Sequence, residues 1–364
     1  MRFLAIALAF LVPLTAFPQT GNSGAALPSL LNGPMTGTGL QTLAAGDLLG
    51  EFGSKTLSTR PNLLGLREVE IGVFAPADYL FDGVAILAAH DEGGTLNAEV
   101  HEVYLGSSKL IPNSRIRAGY YFLNIGRLNS LHRHDWPFTS APPTHERFFA
   151  KEAVTDGGAE YSWLVPFLPF YLDLTFGVAS GYNFGHAHGR GPAPIVPTHY
   201  LRAVHYASVG DTSGMQWGLN YIGRKTALEG QMTLLGLDWV AKIRELSQLR
   251  WFFQAEAWFR DQQPTQELGG YFFAQYGLPD TRLEVGLRID GHTQLNLQNA
   301  QGVRVSNLEY GFVPQLTFKP SEFTQLRASL ETQFALRSGA NELRNHVLQL
   351  QTIFILGAHP AHEF

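Results

Sequence analysis

The chain carries 13 histidines and no cysteine in 364 residues. Two histidine pairs are spaced i, i+2: His132-x-His134 and His186-x-His188. In extended backbone such neighbours point to the same side, so each pair can offer two imidazoles to one Zn²⁺ or Cu²⁺. Asp135 and Glu146 stand close enough in sequence to add carboxylates. The plainer account is that loops tolerate histidine because both of its forms are soluble. Thiolate metal sites, disulfides and cysteine nucleophiles are excluded outright. Gly-x-Ser-x-Gly, His-Glu-x-x-His and glycine-rich phosphate loops are absent. The chain is therefore expected not to be an enzyme and to have no resident cofactor. Zinc enters only as cargo or as a loop-bound ion. A catalytic site at a barrel rim stays as an alternative, since such sites have no fixed spacing.

The elements that must position these residues are strands. Arg282 to Asp290 alternates without an error: Leu283, Val285, Leu287 and Ile289 on one face, Arg282, Glu284, Arg288 and Asp290 on the other. Segments around 170–178, 250–260 and 325–334 repeat the pattern. A period of two gives each strand one apolar and one polar face. A soluble sandwich turns the apolar face inward; a transmembrane barrel turns it outward. Strand length decides between them. These segments exceed the usual soluble strand of about 5–6 residues and suit the roughly 9–11 that cross a bilayer at a tilt. Aromatic clusters near strand ends, such as Trp251-Phe252-Phe253 and Tyr271-Phe272-Phe273, fit interfacial girdles.

Composition agrees. Charged residues make up 16% of the chain, against ~25% in ordinary soluble domains. Mean hydropathy is nonetheless −0.04, as expected where half of each strand faces lipid and half faces water. A net charge of −5 gives no support for nucleic-acid binding. Met1-Arg2 followed by an apolar run from Phe3 to Leu14 reads as a secretory signal peptide, placed at 1–20.

Fifteen strands can be read between 66 and 357. If the last strand runs toward the periplasm, every long connection falls on the outer side, as in bacterial barrels. The strand at 66–76 must then run inward, so one strand is missing upstream, within Leu40 to Lys55. The expected fold is thus all-β: an antiparallel up-and-down transmembrane barrel of about sixteen strands, with fourteen as the alternative and no separate plug domain. Residues 21–60 form an N-terminal segment, periplasmic or entering the lumen and including strand 1. Residues 61–364 form the barrel, expected in the outer membrane of a Gram-negative bacterium.

This topology assigns side chains. Asp173, Asp238, Arg250, Glu256, Arg282, Glu284, Arg288, Arg327 and Glu331 line the pore. Their mixed signs would set a transverse field. The longest connection, 125–157, is heavy in aromatics and either folds into the lumen or caps the rim. Arg127, Asn129, Phe138, Arg147 and Phe148 are its candidate constriction residues, and His132, His134, His186 and His188 are the candidate metal ligands. The expected partners are outer-membrane lipid and a small polar solute. Leu348, Leu350, Thr352, Phe354 and Leu356 share parity with Phe364, and a terminal phenylalanine on the lipid-facing parity looks like the signal read by the barrel-assembly machinery.

Several stretches carry a family pattern. Leu128-Asn129 precedes His132-x-His134 and Pro137-Phe138, and Ser162-Trp163-Leu164-Val165-Pro166 follows. The terminal Gly357 to Phe364 fits as well. Together these resemble bacterial outer-membrane barrels often labelled zinc-regulated TonB-dependent outer membrane receptors, or porin-like proteins. The resemblance implies an outer-membrane porin-like channel for small polar solutes, with uptake of a metal ion or complex as one reading. The alternative is a surface binding or adhesion protein that the barrel merely anchors.

Overall fold

The computed structural model describes residues 39–357 apart from 56–63, 92–94, 151, 183, 186–190, 246–247, 299–300, 304, 306 and 338–339. Sixteen strands form one closed barrel in which each pairs with its neighbours in sequence and the last returns to the first. They are β1 (Gln41–Lys55), β2 (Leu64–Pro76), β3 (Asp82–Asp91), β4 (Leu96–Ser107), β5 (Ser114–Phe122), β6 (Thr155–Leu164), β7 (Tyr171–Ala179) and β8 (Pro194–Val209). The circuit continues with β9 (Ser213–Thr226), β10 (Gly230–Glu245), β11 (Gln248–Gln262), β12 (Thr265–Gly277), β13 (Leu283–Gln294), β14 (Asn307–Phe318), β15 (Thr324–Arg337) and β16 (Ala340–Gly357). Every pairing is antiparallel, and β1 meets β16 from Leu43↔Gly357 to Lys55↔Asn345. Closure leaves no unpaired edge. The strand demanded by counting is β1, and sixteen strands replace the fourteen-strand alternative. The signal peptide expected at 1–20 and the terminal Phe364 lie outside the described residues.

The apolar faces point outward. Leu219, Leu235, Leu237, Phe272, Val285, Leu287, Ile289, Phe312 and Leu350 are exposed, while Asp238, Gln254, Glu256, Arg288, Gln315, Arg327, Glu331 and Gln349 are buried inside. A soluble protein would bury the first set. Leu237 lies midway along β10 and is 56% exposed. Leu237→Arg should therefore destabilise the barrel by about 2–4 kcal/mol, the cost of a cation near the bilayer midplane. Unfolding in lipid vesicles checks this, and no loss would contradict an outward, lipid-facing β10.

The longest connections all stand at one rim, among a few tight ones, and the other rim carries short turns alone. At the short-turn rim, chain segments such as 210–212 and 278–282 join the strands. At the opposite rim the longest connection runs between Phe122 and Thr155 and contains a 3₁₀ turn, Arg133–Asp135, and a short helix, α1 (Pro143–Phe149).

Candidate functional site

The long connection turns into the barrel. Its neck is tied by Asn129, whose Nδ2 donates to the Leu123 carbonyl at 2.8 Å and whose Oδ1 accepts from the Val154 amide at 2.6 Å. From there the segment spans the lumen and bonds to the wall on several strands. On the β11 side, Glu256 accepts the amides of Arg127 (3.1 Å) and Leu128 (2.5 Å), the Tyr271 hydroxyl (3.2 Å) and the Trp258 indole (2.8 Å). The Gly126 amide donates to Asn220 Oδ1 at 2.8 Å. Gly126 has φ +64, and a Cβ there would meet Trp258 Cζ2 at 2.6 Å and Glu256 Oε2 at 2.8 Å. Only glycine combines that backbone with so close an approach.

Further along, Gln315 on β14 donates to the Pro137 carbonyl at 2.9 Å. Arg288 on β13 holds Ser140 through its carbonyl and its hydroxyl, and lies 4.6 Å over the Phe138 ring. Glu331 accepts from Ser140, and Glu309 pairs with Arg147. Past β16 and β1, Arg67 on β2 donates to the Thr139 carbonyl at 2.6 Å. The segment is also glued by apolar burial. Phe148 and Phe149 pack with Trp258 and Leu234, while Trp136 and Phe138 pack with Tyr271 and Phe273. Each such ring contributes about 1.5–3 kcal/mol on burial, so the segment is fixed in place.

The other face of the segment meets β2, β3 and β4 in a cluster of histidines and carboxylates. His132 Nδ1 and His101 Nδ1 each lie 2.8 Å from Glu70 Oε1, and His134 Nδ1 lies 3.0 Å from Glu70 Oε2. His132 Nε2 faces Glu102 at 3.2 Å. His90 Nε2 lies 2.7 Å from His101 Nε2 and 3.0 Å from Glu99. Glu152, where the segment returns to the wall, approaches both of these histidines. His132 and His134 thus share one carboxylate. The backbone between them is a 3₁₀ turn rather than the extended chain that the spacing suggested.

Burial opposes charge on His132, but the carboxylates of Glu70 and Glu102 outweigh it and hold the imidazolium well above its ordinary range. Burial also opposes charge on His134; Asp135 and then Glu70 overcome it and raise this group too. His145 differs. Burial pushes it down to about 4, against the opposing pull of the hydrogen bond that Nε2 donates to the Glu152 carbonyl, so it is neutral. Burial disfavours the Glu152 carboxylate, but Arg133 and then His101 bring it down to about 2.

The structure separates the expected site residues. Asp238 is bound by Arg202 at 3.0 Å and Asn220 at 2.7 Å on the inner wall. Arg288, Arg327, Glu256 and Glu331 are also buried there. Glu284 bonds Gln275 and Lys319, each at 2.8 Å, and Asp173 lies half-buried near the start of β7. Arg250 stands near the short-turn rim, paired with Glu245 at 3.0 Å. Arg282 is a correction: it is exposed in the turn before β13, because the alternation continues past the point where the strand begins. His186 and His188 lie outside the described residues. Glu146 is exposed on α1, outside the histidine cluster.

Sequence reasoning passed over His101, Glu70, Glu99 and Glu152. His101 was hidden by a β-bulge: Ile86 pairs with Glu102 and Leu87 with Val100, so His101 is the extra residue. The bulge turns both His101 and Glu102 inward and breaks the alternation.

The chain matches no known protein-family model. An uncharacterized protein of Aquifex aeolicus (strain VF5) is 27% identical over 339 residues, spanning 82% of this chain and 70% of that protein. Solved structures of similar shape include Pseudomonas putida OprB, with a TM-score of 0.61 and 10% identity over 87% of this chain and 94% of that one. The outer membrane channel DcaP of Acinetobacter baumannii has a TM-score of 0.59 at 9% identity, covering 87% and 96% of the two chains. An anion-selective porin from Comamonas acidovorans has a TM-score of 0.54 at 10% identity, covering 88% and 98%. The fold is that of outer-membrane porin-like sixteen-strand barrels. The zinc-regulated TonB-dependent label is not supported. Sixteen strands fall short of the roughly 22 of plugged outer-membrane transporters, and no helical plug domain stands among the described residues.

Proposed function

We propose that the chain is an outer-membrane porin-like channel for small polar solutes, with a lumen narrowed by the segment 123–154. One observation carries this reading: that segment is bonded inside the barrel to β2, β11, β13 and β14 while the wall around it is charged and amide-rich. A barrel of about sixteen strands leaves an aqueous channel unless something fills it. A fixed segment with charge on either side makes an aperture that admits by size and polarity. The apolar outer face supports a place in lipid, and the loop segregation supports long loops facing outward. Purified protein in planar bilayers should give discrete conductance steps. A correctly folded barrel that gives none would sink the channel reading in favour of a surface-binding protein.

A further inference from the structure

We propose that His90, Glu99, His101 and Glu152 form a site for one divalent transition-metal ion on the inner wall toward the long-loop rim. One ligand atom from each lies within 4.8 Å of the others. The Nε2 of His90 and of His101 stand 2.7 Å apart. Glu99 Oε1 lies 3.0 Å from the first and 3.6 Å from the second. Glu152 Oε2 lies 3.7 and 3.8 Å from the same two nitrogens. Ligands bonded at about 2.0–2.2 Å to a tetrahedral ion stand roughly 3.3–3.5 Å apart. The observed separations straddle that value: His90 must part slightly from His101 and Glu99, and Glu152 must draw in by a few tenths of an ångström.

The donor set selects the ion class. Two imidazoles with two carboxylates suit zinc, copper, nickel or iron; calcium and magnesium prefer oxygen alone. What stands behind the ligands points the same way. His101 Nδ1 donates to Glu70 Oε1 at 2.8 Å, so Nε2 is the nitrogen that faces the site and would bind the ion once it gives up its proton. His90 Nδ1 has Glu68 Oε2 behind it at 3.6 Å. A carboxylate behind each imidazole is how metal-binding histidines are commonly oriented and made more basic. His90, His101 and Glu152 are buried. The bulge at His101 is the backbone device that aims it here. The carboxylates of Glu70, Glu99, Glu102 and Glu152, with Glu68 beside them, outnumber the neighbouring cations Arg133, His132 and His134, which favours a dication. Three ligands belong to the β3–β4 hairpin and the fourth to the end of the lumen segment. A bound ion would therefore pin that segment to the wall.

The test uses the full chain refolded in detergent, with Co²⁺ as a spectroscopic probe and Zn²⁺ as competitor. The wild type should bind one Co²⁺ with the intense visible absorption of a four-coordinate centre, displaced by one Zn²⁺. His90→Ala with His101→Ala should weaken binding at least a hundredfold; Glu99→Gln with Glu152→Gln serves if that pair fails to refold. Glu70→Gln, a positioning change, should keep the four-coordinate spectrum and weaken affinity about 10–100-fold. His132→Ala with His134→Ala should leave that spectrum in place. Folded wild type that binds no Co²⁺, a six-coordinate spectrum, or binding that survives loss of the ligands overturns the site. So does binding abolished by the His132 and His134 changes alone. Conductance is read separately: a barrel that conducts without binding Co²⁺ refutes the site and leaves the channel, and the reverse result refutes the channel alone.

Discussion

Replacing residues 123–154 with a short Gly-Ser turn should raise single-channel conductance on the order of threefold or more, because it reopens a barrel wide enough to hold water. The barrel should survive the change. Phe122 and Thr155 are directly paired across β5 and β6, so a tight hairpin can close where the long segment leaves the wall. Ladder hydrogen bonds around the circuit do not depend on the segment. The cost is local: Trp258, Tyr271 and Phe273 lose their packing partners and face water. Some thermal stability should therefore be lost while the closed sheet remains. Bilayer recordings on wild type and variant, with a heat-dependent gel shift to confirm folding, check the result. Equal conductance in two folded proteins would mean that the segment does not limit flow.

That result depends on a direction the sequence left open. Length and aromatic content mark 125–157 as a functional loop, but neither says whether it enters the lumen or caps the rim. The needed signal was in the wall. Trp258, Tyr271 and Phe273 have the same parity as Gln254, Glu256 and Gln275, where water-facing residues belong. Large rings on a lumen face need something to bury them, so they mark the docking surface of the segment. The strands themselves were legible for the opposite reason. Along β13, period two is obeyed so strictly that face, length and direction follow from it. β1 alternates poorly and emerged only from counting loop sides. His101 was illegible because a bulge changes which residues face inward, and a bulge has no marker in a single sequence. The His132-x-His134 pair was visible, but its partners come from β2 and β4, far away in sequence.

The anchor that holds the segment can be tested by a single atom group. Glu256 gathers four donors: the amides of Arg127 and Leu128, the Tyr271 hydroxyl and the Trp258 indole. All four belong to buried residues. Glu256→Ala removes every acceptor at once, and each buried donor left without one costs about 1–3 kcal/mol. Water entering the vacated space would relieve part of this, so a net loss of roughly 3–6 kcal/mol is expected. The same change frees the start of the segment, which should then move, and open-channel current should become noisier. Glu256→Gln keeps the shape and one acceptor oxygen for the two amides, but turns an NH₂ toward the indole. It should lose much less stability and stay quiet. Denaturant unfolding in detergent and current-noise analysis of both variants separate the roles. If Glu256→Ala matched wild type in both measurements, the rings of Phe148 and Phe149 against Trp258 would be holding the segment without help from the carboxylate.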